Sequence, residues 1–433
     1  MYRFSIFVLQ FLSLIIALTF IFTNPFIVSL DIGNLKYSFS SNLFAVVFIS
    51  FIFLLYLVLY TFFRSRLSLG KYFLKNKYNK IEKGYLHFVD AMIAVANNDN
   101  KTALKSHKKM VSYLKDDPSL SLLLKSEVLK IEKKFPELNN VYEDMIKSKK
   151  TETLGYRGLM EQNLRNQDYH HAFLYGEKLF SINPNIEKLY DTLIFIAAKT
   201  KNWNQIVLLS DKAYSNKIIS KNDLNENKSV GFYEIAKIKY DSDIKDSLKN
   251  ILKAVDLKKN FPPYVKLHLE IISGLNDKRN LKKLIKKYWS LNPSSLLRSI
   301  IIKILNDNNL ADIKFINEII NNNASEEESK KLLIYFAIKS SKWDVARKNI
   351  SGMIGVNPSK EICYFMSDIE LGANNDKQKS DAWMMRAENA SIEDTWICRI
   401  SNQAQDEWST ISNSGNYNSL VWTTYKMLRQ NNN

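Results

Sequence analysis

At 433 residues the chain is longer than one hydrophobic core readily serves, so it must divide into domains or stack as a repeat array. Gly (12) and Pro (8) are scarce while Leu, Ile, Lys and Asn recur throughout, which disfavours a turn-rich sheet fold and predicts an all-α body. The formal charge of +17 is spread among acidic residues without an Arg-rich stripe, so nucleic acid is not an expected partner. Two isolated cysteines, Cys363 and Cys398, give neither a disulfide framework nor zinc-site spacing.

In chain order, the first elements are two uncharged runs, Phe4 to Phe22 and Leu43 to Phe63. At ~1.5 Å per helical residue each can cross ~30 Å of hydrocarbon, so both are expected to span a membrane. A cleaved signal peptide is the competing reading of the first run; its apolar stretch is too long and no small-x-small site follows. Between them, residues 23–42 carry two short apolar runs, Phe26 to Leu30 and Leu35 to Phe39, around Asp31-Ile32-Gly33-Asn34, and predict a small external β-hairpin. Residues 64–83 are basic: Arg64, Arg66, Lys71, Lys75, Lys77, Lys80 and Lys83 crowd the exit of the second span, whereas the hairpin carries only Asp31 and Lys36. That asymmetry places both termini in the cytoplasm. Together with Tyr72, Phe73 and Tyr78, the first six of these basic residues predict a surface against anionic lipid, with topology determination alone as the plainer explanation.

From residue 84 to 395 apolar residues fall at helical spacing, with short polar turns every 14 to 20 residues. The clearest unit runs from Thr151 to Asn185: a helix to Arg165, a turn at 166–168, then a helix whose Tyr169, Ala172, Phe173, Gly176, Leu179 and Phe180 share a face. In a tetratricopeptide unit a small residue precedes a terminating proline by 12 positions. Ala172 to Pro184 and Ala346 to Pro358 keep that spacing, and Leu281 to Pro293 keeps it with a bulkier residue. Trp203 follows Tyr169 by 34 residues, which is the tetratricopeptide period. Weaker units are expected at Tyr85 to Pro118 with Ala103, Ser119 to Lys149, Leu224 to Pro262 with Ala254, Ser294 to Asn322, and Ser359 to Asn389 with Ala382. Eight or nine helix pairs stacked in this way predict a solenoid with an extended surface for gripping a protein segment.

Signatures of catalysis are missing. No GxGxxG, GxxxxGK[ST], HExxH, GxSxG or CxxC occurs, so no catalytic, cofactor or metal residues are assigned and the chain is not expected to be an enzyme. Acidic runs such as Asp116-Asp117 and Glu326-Glu327-Glu328 fit capping and solvation. His170-His171 opens a repeat helix, but neighbours on a helix point about 100° apart and do not converge on one metal.

The order of hairpin, basic segment and degenerate tetratricopeptide pairs resembles the bacterial HemY N-terminal family. The residues that carry the resemblance are Asn24-Pro25, Val28 and Tyr37, the segment Lys83 to Leu104, and Leu154-Gly155-Tyr156-Arg157-Gly158-Leu159. It implies a multi-pass protein of the bacterial inner membrane with a cytoplasmic repeat domain, acting as a scaffold for enzymes of late protohaem synthesis. A tetrapyrrole-binding carrier using haem or porphyrin, and a membrane-complex adaptor unrelated to haem, are the alternatives. Some relatives close with a tryptophan-flanked cysteine ribbon; here residues 396–433 keep Trp396, Cys398, Trp408 and Trp422, while Ser401, Ser412 and Ser414 stand about where further cysteines would be. One thiolate cannot hold zinc tetrahedrally, so apolar contacts must replace metal if this tail folds.

Overall fold

The structure, a computed structural model, describes residues 2–24, 26–33, 35–114, 118–390 and 394–424. Pro25, Asn34, Asp116-Asp117 and residues 425–433 lie outside the described residues, as do the side chains of residues 65–70, Arg66 included. Two compact units are formed, Met1–Lys134 and Phe135–Asn433.

In the first unit, α1 (Tyr2–Thr23) leads to an antiparallel hairpin of β1 (Ile27–Ile32) and β2 (Leu35–Ser40), in which Ile32 faces Leu35 across the turn. Gly33 takes a left-handed φ of 62° there, a conformation open to glycine without a Cβ penalty. A single 56-residue helix follows, α2 (Ser41–Ala96), capped by Ser40, whose hydroxyl accepts the Leu43 N–H. Then come α3 (Asn100–Tyr113) and α4 (Pro118–Ile131). Among the described residues one helical segment, Ser41–Arg64, is long and apolar enough to cross a membrane; the apolar stretch of α1 among them, Phe11–Thr23, is shorter than a full span. The expected breaks at 63/64 and 83/84 are absent, because the basic stretch is rich in helix-forming Lys, Leu and Arg and holds no proline. The last turns of α2 supply Ala91 and Ala94 to a core shared with Ala103 and Met110 of α3 and Leu124 and Val128 of α4.

The second unit opens with α5 (Phe135–Met145). Seven helix pairs follow: α6 (Glu152–Arg165) with α7 (Tyr169–Ile182), α8 (Leu189–Lys199) with α9 (Trp203–Ser215), and α10 (Lys221–Lys239) with α11 (Ile244–Leu257). The remaining four are α12 (Pro262–Gly274) with α13 (Lys278–Leu291), α14 (Ser295–Asp307) with α15 (Ile313–Ile320), α16 (Glu327–Lys339) with α17 (Trp343–Ile350), and α18 (Lys360–Asn374) with α19 (Lys377–Glu388). Neighbours in sequence are neighbours in space. First helices also meet first helices, α12 with α14, α14 with α16 and α16 with α18, and α13 meets α15, which is the stacking of a tetratricopeptide-like solenoid.

A repeated turn sets the register. The residue two before the second helix is left-handed at Gln167, Lys201, Asn276, Ser341 and Asn375, ending the first helix. The next residue caps the second helix, and at Asp168, Asp277 and Asp376 its carboxylate accepts the N–H three residues on. The third residue after each second-helix start then faces inward: Ala172, Ile206, Ser247, Leu281, Ile316, Ala346 and Ser380 are all buried. Ala382, expected as the small contact of the last pair, is exposed; the helix start at Lys377 places Ser380 there, hydrogen-bonded to Ser367 at 2.7 Å. Gly155 and Gly158 explain the Leu154–Leu159 segment, because a Cβ on Gly158 would lie 2.3 Å from the Tyr142 ring.

The body is mostly helical, but the chain departs from an all-α fold at both ends. After α19 a ribbon of β3 (Thr395–Cys398), β4 (Ala404–Gln405) and β5 (Leu420–Thr423) forms an antiparallel sheet with β3 central.

Candidate functional site

The C-terminal ribbon is docked across the first helices of four successive pairs. At one end, Ile411 and Tyr417 pack on the apolar cluster built by α7, α8 and α9. The Tyr417 hydroxyl donates to Asn227 of α10 at 3.1 Å, and Asn227 donates to Tyr190 of α8 at 3.0 Å. Thr410 donates to Glu234 of α10, and Glu407 pairs with Lys266 of α12 at 3.6 Å. At the other end Trp396, Cys398 and Leu420 bury against one another, with Leu296 of α14 and Phe261 packed on them.

Trp408 is the anchor. Its ring centroid lies 5.3 Å from Tyr233, 5.2 Å from Phe261 and 5.9 Å from Tyr264, each edge-on. Its buried indole N–H has no oxygen or nitrogen partner, and the edge-on rings are the electron-rich surfaces left to receive it. Burial raises the Tyr233 and Tyr264 phenols above their ordinary range, so both stay neutral and Tyr264 shares a 3.1 Å hydrogen bond with Ser229. Beside the anchor a cleft of about 670 Å³ stays open, walled by Tyr240, Lys237 and Glu270 on the helices and by Trp396 and Trp408 on the ribbon. Burial pushes the Glu270 carboxyl up, partly offset by Lys266 and Lys303.

The positions expected of a degenerate cysteine ribbon do converge. Cys398 is buried, and its sulfur receives Ser401 N–H at 3.5 Å and Ser414 Oγ at 3.4 Å, with Ser419 Oγ 3.2 Å away. Burial alone would raise this thiol; the hydroxyls of Ser401, Ser414 and Ser419 outweigh it and bring it down to about 5. Ser401 donates to Ser414 at 2.8 Å and Ser412 lies 2.9 Å from Ser414, so a hydrogen-bonded nest occupies the place of a metal cluster. Trp396 and Trp422 meet edge-on at 5.4 Å and close the sheet by apolar contact.

A second cluster was not legible in the sequence. Arg298 of α14, only 7% exposed at its side chain, donates through Nε to Glu328 of α16 and through both terminal nitrogens to Glu361 of α18. Lys331 pairs with Glu327 at 2.7 Å and Glu328 at 3.4 Å. Burial works against both cations, but these carboxylates prevail and hold their pKa values above the usual range. Glu328 is therefore a half-buried partner and not the solvated residue expected, because α14 and α18 flank it on the same layer. The only advance signal was an arginine amid the apolar residues of one helix.

His170 and His171 are both exposed, with rings 5.5 Å apart and crossed at 80°, and His171 is engaged by Asp168 at 2.8 Å. They do not converge on one metal. Among the described residues no group of three or more His, Cys, Asp or Glu could hold an ion. Arg64, Lys71, Lys75, Lys77 and Lys80 are all exposed along α2.

Residues 27–130 match the family described as HemY protein N-terminus, which covers the hairpin, the spanning segment, the basic stretch and the first repeat helices. Through this segment the chain belongs to the HemY N-terminal family. No curated protein matches. Solved structures with similar stretches include a tetratricopeptide repeat protein from Parabacteroides merdae (13% identity, TM-score 0.27, covering 58% of this chain and 93% of that one). The TPR2AB domain of yeast Sti1 in a pHSP90 complex is another (9%, 0.30, 70% and 98%), as is Naa15/Naa10 bound to HypK (12%, 0.34, 73% and 59%). The tetratricopeptide-like assignment rests on the helix pairs themselves, and membership in the HemY N-terminal family on residues 27–130.

Proposed function

We propose that the chain is a membrane-anchored, non-catalytic scaffold whose repeat helices hold other proteins beside the bilayer. The observation that carries this reading is α2. It runs unbroken from the apolar Ser41–Arg64 segment to Ala91 and Ala94 in the first repeat core, so a membrane span and a repeat helix are one rigid element. A tether of this kind raises the effective concentration of whatever the repeats hold at the membrane without any new contact.

Kinship with the HemY N-terminal family supports the bacterial inner membrane as the location and proteins of late protohaem synthesis as the partners, with the repeats in the cytoplasm on the side of the basic residues. Because α2 continues without a bend signal, its basic residues leave the bilayer in sequence. Arg64, Arg66 and Lys71 fall within ~10 Å of the span's end, and Lys75, Lys77 and Lys80 reach ~16–24 Å. The first three therefore serve anionic headgroups, and the others stand at or beyond one Debye length. Photo-crosslinking in native membranes, followed by identification of the captured proteins, tests the scaffold. Recovery of a stable partner from the haem pathway supports it; no protein partner from intact membranes, or turnover of a substrate by the purified chain alone, refutes it.

A further inference from the structure

The ribbon is too small to keep itself folded. Its strands are four, two and four residues long and it buries Trp396, Cys398 and Leu420 as its own apolar core, whereas sheets of this size need a backing. That backing is the row of first helices α8, α10, α12 and α14. The mode of attachment is that of a bound segment: an indole among three aromatic rings, an acid on Lys266 just before it, and a hydroxyl on Glu234 just after it. Buried aromatic anchors with a polar rim are how protein interfaces concentrate affinity.

We infer that this row is a peptide-binding groove, that the ribbon is its resident occupant, and that the partner segment it accepts presents a tryptophan preceded by an acidic residue and followed by a hydroxyl, entering by displacing Glu407-Trp408-Ser409-Thr410. The inference rests on the scaffold reading and specifies where and what it grips. The open cleft next to Trp408 gives the incoming chain its foothold, since Tyr240, Lys237 and Glu270 already face unfilled space. Within this scheme the free protein is closed, and its affinity for a partner is reduced by the fraction of time the ribbon stays seated.

The test uses the full chain in detergent micelles and a fluorescein-labelled peptide with the sequence of residues 402–412. Trp408→Ala removes the resident anchor and is expected to raise peptide affinity about tenfold over the unaltered chain. Adding Tyr233→Ala, in the groove wall, is expected to abolish that gain. The pair Thr410→Ala/Tyr417→Phe loosens the ribbon without touching the aromatic pocket and carries the test if Trp408→Ala does not fold. Hydrogen exchange must show the ribbon released and α8 to α14 still protected. A released ribbon with unchanged peptide affinity, or a gain that survives Tyr233→Ala, overturns the groove and makes the ribbon a fixed cap. Crosslinking in native membranes reads the scaffold separately: peptide binding without any captured partner refutes the scaffold while leaving the groove standing, and captured partners without peptide binding do the reverse.

Discussion

Replacing Arg298 by Met removes the guanidinium that joins α14, α16 and α18 while keeping most of its volume. Glu328 and Glu361 then share one remaining cation, Lys331, whose ammonium lies 3.4 Å and 3.9 Å from them. Breaking a fully buried ion pair costs about 3–5 kcal/mol because a charge is stranded away from water. Here the two carboxylate side chains keep 20% and 28% of their exposure and Lys331 stays, so about 2–3 kcal/mol is expected. A stacked array opens locally, so the loss should be read by hydrogen exchange in α14, α16 and α18, where amides should exchange roughly 30- to 150-fold faster. Acidification should shrink the deficit, since stranded carboxylates escape their penalty by taking up protons. The deciding variant is Arg298→Met with Glu328→Gln and Glu361→Gln, which removes the stranded charges together with their partner. It should recover to within about 1 kcal/mol of the unaltered chain. If the triple variant exchanges as fast as the single one, the stabilisation comes from packing of the arginine stem and the electrostatic reasoning is wrong.

His268 is buried, lies 2.7 Å through Nδ1 from the Tyr288 hydroxyl, and is brought down by burial to about 4. The unfolded chain binds the proton more readily, so stability is fully present above pH ~6.5 and falls as pH drops towards 4. His268→Leu should flatten that acid limb in urea titrations, and an unchanged limb would remove His268 from the account. Gly158→Ala should cost about 1–3 kcal/mol through its clash with Tyr142, and Tyr142→Leu in the same chain should restore most of it, as judged by urea midpoints. Converting Ser401, Ser412 and Ser414 to Cys beside Cys398 should create a four-thiolate site that binds Co²⁺ with sulfur charge-transfer absorption, absent from the unaltered chain. A folded variant without that absorption would show that the four positions do not close tetrahedrally.

Local physics was enough for the repeat helices. In Thr151–Asn185 the apolar spacing, the Asp168 cap and Pro184 each act within a few residues, and the helices Glu152–Arg165 and Tyr169–Ile182 follow from them. The Ser359–Asn389 unit shows the limit: periodicity found the pair, but a slip of two residues exchanged Ala382 for Ser380 as the inward position. The continuity of α2 was hidden for a different reason. Hydropathy changes sharply near Arg64, and a change of solvent reads as a boundary even where the backbone goes on as helix.

By itself, then, the sequence determined the repeat pairs, the apolar segment at Ser41–Arg64 and the absence of common catalytic motifs, because periodicity, length and motif spacing are local properties. Tertiary structure alone decided what the row of first helices holds. Thr410 meets Glu234 across 176 residues and Tyr417 meets Asn227 across 190, while Arg298 reaches Glu361 across 63. Such contacts depend on how successive pairs stack, and each partner taken alone is an ordinary polar or aromatic residue until the stacking brings them together.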